Sequence, residues 1–166
     1  QHDVDKLWSS DIKSMYQATD LQQGLLFHHL YSESDSGSYF NQMSWRQTGH
    51  LNIACFQQAW QSVINRYDIF RMRFVWEGLN NPVQIVAKQV ELPFEYLDWQ
   101  DKDPEAIEND IKEFLAEDLR RGFDFKQSCL MRIIVIHVSE EKYQIIWDHH
   151  HILTDGWCLP IIFEGV

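Results

Sequence analysis

Residues 130–138 and 143–147 are two runs of apolar, β-forming side chains joined only by Ser139-Glu140-Glu141-Lys142. A strand with one wet face alternates apolar and polar residues. These runs are near-continuously hydrophobic, which implies strands buried on both faces. Such a pair demands a sheet at the centre of the fold. Upstream, helical and extended patterns interleave. The expected class is therefore α/β (an α+β two-layer sandwich) with a mixed central sheet and helices packed on one face.

The helical segments carry their own punctuation. Thr19 and Gln22 have capping-box spacing and open a predicted helix at about residues 20–31. Gly24 inside it costs about 1 kcal/mol relative to alanine, which suggests close packing or close approach by another group, the alternative being that the helix simply tolerates it. Asn52 can cap a second helix, whose apolar positions Ile53, Phe56, Trp60, Val63, Ile64 and Tyr67 line one face. In a third, Asp103 precedes Pro104 at the expected first helical position. Glu105 and Glu108 suit its positive end, Arg120 and Arg121 its negative end, and Gly122 a left-handed C′. The acidic residues of this helix read as its solvated face. A short extended piece is predicted at 12–17, and strands at 39–48, 70–76 and, as a hairpin partner, 83–87, with a weaker strand at 94–97. Residues 32–38 are loop by composition. Residues 1–10 read as a linker remnant ahead of one unit spanning 11–166.

Charge removes whole classes of function. With 14 Lys+Arg against 25 Asp+Glu, the formal net charge is −11. That argues against binding nucleic acid, where affinity rests on basic residues neutralising phosphates, and against anionic membrane surfaces. The longest apolar run falls far short of the ~20 residues that span a bilayer. No basic leader precedes an apolar stretch. Cys55, Cys129 and Cys158 are odd in number and far apart, which fits reduced thiols better than a disulfide framework. The expected location is cytoplasmic.

The chemistry is concentrated after the last apolar run, in Asp148-His149-His150-His151-Ile152-Leu153-Thr154-Asp155-Gly156-Trp157. Ionisable groups at the mouth of a hydrophobic strand are costly unless paired. Gly156 allows a tight turn that could bring Asp155 back toward a histidine, and a carboxylate can hold an imidazole in one tautomer. On spacing alone three readings stand. One is a buried or turn histidine cluster with no chemistry. The second is metal ligation through His149, His151 and Asp155, weakened by the absence of an obvious His or Cys partner elsewhere. The third is acid–base or dipolar catalysis by one histidine.

His150-His151-Ile152-Leu153-Thr154-Asp155-Gly156 fits the HHxxxDG signature of condensation domains of nonribosomal peptide synthetases, in the chloramphenicol-acetyltransferase-like superfamily. Two further segments agree in order. Thr19-Asp-Leu-Gln-Gln-Gly-Leu-Leu-Phe-His28 resembles the first family motif in its S-P-M-Q-E-G-M-L-F-H form. Arg66-Tyr-Asp-Ile-Phe-Arg-Met-Arg-Phe74 resembles the second, RHExLRTxF, with Tyr67, Asp68, Phe70 and Met72 departing from it and Arg66, Arg71 and Phe74 matching.

The resemblance implies a chloramphenicol-acetyltransferase-like lobe and a reaction. An upstream carrier protein presents a peptidyl thioester on a phosphopantetheine arm, and a downstream carrier presents an aminoacyl thioester. The acceptor amine attacks the donor thioester and forms the peptide bond. His151 would be the catalytic residue, taking a proton or stabilising the charged intermediate. His150, Asp155 and Gly156 would support it, Asp155 through an ion pair that holds the loop. Arg66 and Arg71 would brace the fold. No metal and no directly bound cofactor are implied. An α-amine has a pKa of about 7.7–8.0, so a useful fraction is already neutral at cellular pH. Aligning two tethered reactants can then supply much of the rate, about 7–11 kcal/mol in favourable cases.

Family domains are longer and have two lobes with a tunnel between them. The chain is therefore expected to be the N-terminal lobe, lacking the C-terminal lobe and the adenylation domain that would follow, and to be inactive alone. Apolar surface is expected where the second lobe would sit, and a dimer could partly cover it. Gly24 in the first motif and His149 before the histidine pair resemble the subtype that accepts a donor ending in a D-residue. The alternatives are a catalytically idle lobe that docks carrier proteins, or an epimerization domain of the same superfamily.

Overall fold

The computed structural model describes residues 9–31 and 39–153. In chain order the elements are β1 (Ile12–Gln17), α1 (Asp20–Tyr31), β2 (Phe40–Thr48), α2 (Ile53–Arg66), a 3-10 turn (Asp68–Arg71), β3 (Met72–Val75), β4 (Val83–Ala87), β5 (Phe94–Asp98), α3 (Ile107–Arg121), β6 (Met131–Ser139) and β7 (Lys142–His150). The expected linker remnant at 1–10 (up to residue 8), the loop at 32–38 and everything from Thr154 onward lie outside the described residues.

The α/β class with a mixed central sheet holds. Four strands in the order β2-β7-β6-β5 form that sheet, with β2–β7 and β6–β7 antiparallel and β5–β6 parallel. A second sheet, β1-β4-β3, is antiparallel throughout. Local patterns mark each strand of this smaller sheet, but its separation from the central one is a matter of distant pairing.

The helices cover both faces of the central sheet, which corrects the one-face expectation. Met131, Ile133 and Val135 of β6 and Tyr143, Ile145 and Trp147 of β7 share a core with Leu26 of α1 and Trp60, Val63 and Ile64 of α2. The alternate residues Ile134, Ile136 and Ile146 pack with Phe114 and Leu115 of α3. The cause is the doubly apolar character of β6 and β7: leaving either face wet would forfeit about 1.5–3 kcal/mol for each large side chain exposed.

Local chemistry sets the ends of the elements. Thr19 N donates to Gln22 Oε1 at 2.9 Å and Gln22 N donates to Thr19 Oγ1 at 3.3 Å, the reciprocal pair of a capping box. Asn52 Oδ1 accepts from Cys55 N at 3.0 Å. Three boundaries differ from expectation. The predicted strand 70–76 begins only at Met72, because Asp68–Arg71 forms a 3-10 turn. The third helix begins at Ile107 rather than Pro104, because Asp103 first closes a turn, accepting at Oδ1 from Glu105 N and at its carbonyl from Ala106 N. Gly122 has a positive φ of 60° as expected, but its ψ of −155° is extended rather than left-handed helical. A Cβ on Gly24 would meet nothing within 4 Å, so the close approach suggested there is not found among the described residues. Cys55 and Cys129 are free thiols, the latter buried, with its pKa pushed up to about 12 by desolvation.

Candidate active site

The site forms where β7 runs out. The strand continues three residues past its apolar run, so Asp148, His149 and His150 lie within the sheet and not beyond it. On one side they face Gln42, Asn41 and Phe40 of β2; on the other, Asp148 and His149 face Arg132 and Met131 of β6. The chain then turns. His151 N donates to Tyr39 O at 2.8 Å and Leu153 N to His150 O at 3.1 Å.

The three histidines meet different surroundings. His149 is 1% exposed, lies flat against the Trp147 ring at 4.5 Å, and has Nε2 3.1 Å from the Asn41 amide. Burial, with a smaller contribution from His151, pulls its pKa down to about 4. His150 is 5% exposed, packed against Phe125 at 4.7 Å, with His29 and Tyr39 further out. Burial, then its histidine neighbours, pull it down to about 3. Its Nδ1 accepts from Ile152 N at 3.0 Å, so the neutral ring carries its proton on Nε2. This bond fixes the turn that carries His151. His151 itself is exposed, and among the described residues its ring meets only the Asn41 amide, 3.4 Å from Nδ1. Of the triplet, His151 is the one imidazole that an external group can reach.

Beneath the histidines is a buried ionic cluster. Arg132 Nε donates to Asp148 Oδ2 at 3.0 Å, and its Nη2 pairs with Asp118 Oδ1 at 2.8 Å. The same guanidinium donates to the carbonyls of Asp118 and Gly122, each at 2.8 Å, and lies near the stacked rings of Phe40 and Phe123. Gln42 Nε2 donates to Asp118 Oδ2 at 3.2 Å. Two carboxylates share one arginine in an almost dry site, and two bare negative charges there would be costly. Burial first, and then Asp118, push the Asp148 carboxyl up to about 8, so the pair retains a proton near neutral pH.

The structure thus brings His149 and His151 together at Asn41, with His150 fixing the turn between them, and it separates the two arginines of the second motif. Arg71 is buried and braces the fold: it donates to the carbonyls of Ala87 and Asn65 at 3.1 and 2.7 Å, and pairs with Asp68. Arg66 is exposed, its guanidinium 5.4 Å from the Tyr67 ring centroid, and it does not share that bracing role. Asp155 and Gly156 lie outside the described residues. Among the described residues no group of three or more His, Cys, Asp or Glu is placed to hold a metal ion.

Asn41, Gln42, Arg132 and Asp118 are participants that sequence reasoning passed over. Asp118, read as solvated, is 4% exposed. The signal was present: it falls seven residues after Ile111 and three after Leu115, on the buried stripe of α3. Arg132 likewise interrupts a doubly buried strand, where an arginine requires partners.

The condensation-domain family profile matches residues 12–166. A linear gramicidin synthase protein of Brevibacillus parabrevis is 39% identical over 99% of this chain, which spans 3% of that protein's length. Bacitracin synthase 1 of Bacillus licheniformis is 34% identical over 96% of the chain and 3% of its own length. Among solved structures, the starter condensation domain of rhizomide synthetase superposes with a TM-score of 0.76 at 21% identity, covering 92% of this chain and 36% of that one. The EpoB cyclization-docking bidomain from Sorangium cellulosum gives 0.80 at 18%, covering 93% and 30%. The fold is thus the chloramphenicol-acetyltransferase-like fold of condensation domains. Profile, relatives and fold agree, and the chain belongs to the condensation-domain family of nonribosomal peptide synthetases.

Proposed function

We propose that the chain is the N-terminal lobe of a condensation domain that forms peptide bonds between carrier-bound substrates. The amine of an aminoacyl group on a downstream carrier attacks the thioester carbonyl of a peptidyl group on an upstream carrier. The C–N bond forms, the C–S bond breaks, and the phosphopantetheine thiol of the donor carrier leaves. His151 takes up the amine proton or holds the charged intermediate. His150 fixes the turn, and Asp155 and Gly156 support His151 as the motif implies. The observation that carries this reading is the split within the triplet: two rings are buried and neutral, while the third is exposed.

The chain spans 3% of the first curated relative's length and 36% of the rhizomide starter-domain chain, so the second lobe, the adjoining adenylation domain and both carriers are partners in this proposal. The test is the domain completed by its second lobe, supplied with loaded donor and acceptor carriers. Peptide appearing on the acceptor carrier, with none from the lobe alone, supports the proposal. Transfer by the lobe alone refutes the single-lobe inactivity. Release or epimerised donor without a new amide refutes condensation.

One observation favours a docking role as a second reading. On α1, Leu21, Phe27, Leu30 and Tyr31 remain exposed, and a groove of about 410 Å³ runs beside them, lined in part by Gly24, Trp76 and Pro82. A catalytically idle lobe would use such a face to bind a carrier protein, and its carrier affinity would survive His151→Ala with no turnover in either form.

A further inference from the structure

A single side chain ties the exposed histidine to a buried one. The amide end of Asn41 that lies 3.1 Å from His149 Nε2 also lies 3.4 Å from His151 Nδ1. Asn41 is held there by the ladder, directly opposite His149 across β2 and β7. A carboxamide has the same outline either way round, so the hydrogen-bonding needs of its surroundings decide which end faces the rings.

His149 supplies that decision. It is buried and neutral at cellular pH, so it holds one ring proton. Its Nδ1 is buried and meets no partner among the described residues. Were the amide nitrogen turned to the rings, Nε2 would have to accept, and the proton would sit on Nδ1 as a buried N–H with no acceptor. With the amide oxygen turned to the rings, the proton sits on Nε2 in a hydrogen bond, and Nδ1 is only an under-used acceptor. Orphaned buried N–H donors are the rarer defect in folded backbones, and the same reasoning applies to a ring nitrogen. An amide oxygen has two lone pairs. The second can serve His151 Nδ1, 3.4 Å away, and accepting a proton from it there leaves the other nitrogen of a neutral His151 bare.

We propose that Asn41 is a positioning residue whose carboxamide oxygen accepts from both His149 Nε2–H and His151 Nδ1–H, so that a buried histidine selects the tautomer of the exposed one and leaves His151 Nε2 free to receive a proton. Its bearing on peptide transfer rests on His151 being the reacting imidazole; the tautomer itself does not.

The test is long-range proton–nitrogen correlation of the chain with nitrogen-labelled histidines near neutral pH, read in the unmodified chain and in Asn41→Asp and Asn41→Leu. The expected spectra show Nδ1–H at His151 and Nε2–H at His149 in the unmodified chain. Asn41→Asp, which keeps an accepting oxygen, retains both. Asn41→Leu shifts His151 predominantly to Nε2–H, the form a free imidazole side chain prefers. An Nε2–H His151 in the unmodified chain overturns the proposal, as does a His151 signal unmoved by Asn41→Leu in an otherwise dispersed spectrum. If Asn41→Leu does not fold, the unmodified chain and Asn41→Asp still decide it. None of these signals depends on turnover, so failure of the peptide-transfer reading would leave them unchanged and is separately visible.

Discussion

His149, His150 and Asp148 are neighbours in sequence whose burial moves their titrations in opposite senses of stability. The two histidines titrate near 4 and 3 in the fold instead of 6.5, so the unfolded chain takes up protons that the folded one refuses. Their contribution is present above 6.5 and is lost as pH falls toward 4. His29, also lowered by burial, adds to that acid limb. Asp148 is the reverse case: its carboxyl titrates near 8 rather than 3.8, so the fold keeps a proton that the unfolded chain releases, and stability declines as pH rises through that window. Between about 4 and 6.5 the histidines outweigh the single carboxyl; above 6.5 only the carboxyl slope remains. The urea midpoint is therefore expected to peak near pH 6.5 and to fall again toward pH 8. Asp148→Asn is expected to flatten the alkaline limb and to steepen the acid limb between about pH 4 and 6.5, where the carboxyl opposes the histidines. Identical profiles for the two proteins above pH 6.5 would contradict the shared-proton description of the Arg132 cluster. At this scale the motif His150-His151 was plain in the sequence because it is contiguous. The Asp118–Arg132–Asp148 cluster was not, because three elements supply it: each member's place on a buried stripe or strand shows that it needs a partner, but no local pattern says which one.

Elements were legible where their signals are local. The Thr19–Gln22 box and the Asn52 cap need only a few neighbouring residues, and both helices begin where those residues predict. The third helix starts later because Asp103 can serve a turn as well as a cap, and here it closes a turn. Sheet membership was hidden for the same reason as the ionic cluster: β4 pairs with β1 and β3, a relation between distant segments that no local pattern encodes. The end of α3 joins element to site. Gly122 combines a φ of 60° with a ψ of −155°, a region that is essentially glycine's alone, and its carbonyl accepts from Arg132. Gly122→Ala is expected to lower stability by about 1–3 kcal/mol in chemical denaturation. An alanine variant as stable as the parent would show that this backbone conformation is dispensable.

For the molecule as a whole, β6 and β7 are covered on both sides, while Leu21, Phe27, Leu30 and Tyr31 of α1 remain exposed. Contiguous apolar surface of this kind drives association. Sedimentation velocity over rising concentration is expected to show heavier species, and Phe27→Lys with Leu30→Lys to reduce them; a concentration-independent monomer in the parent chain would argue against it. The function of the whole domain turns on His151. Its most direct measurement is the rate of amide formation between loaded carriers by the two-lobed domain, compared with the same domain carrying His151→Ala. A loss of roughly 10²–10⁴-fold with carrier binding retained is expected, the usual worth of a positioned acid–base group. A variant that joins the two substrates as fast as the parent would contradict it.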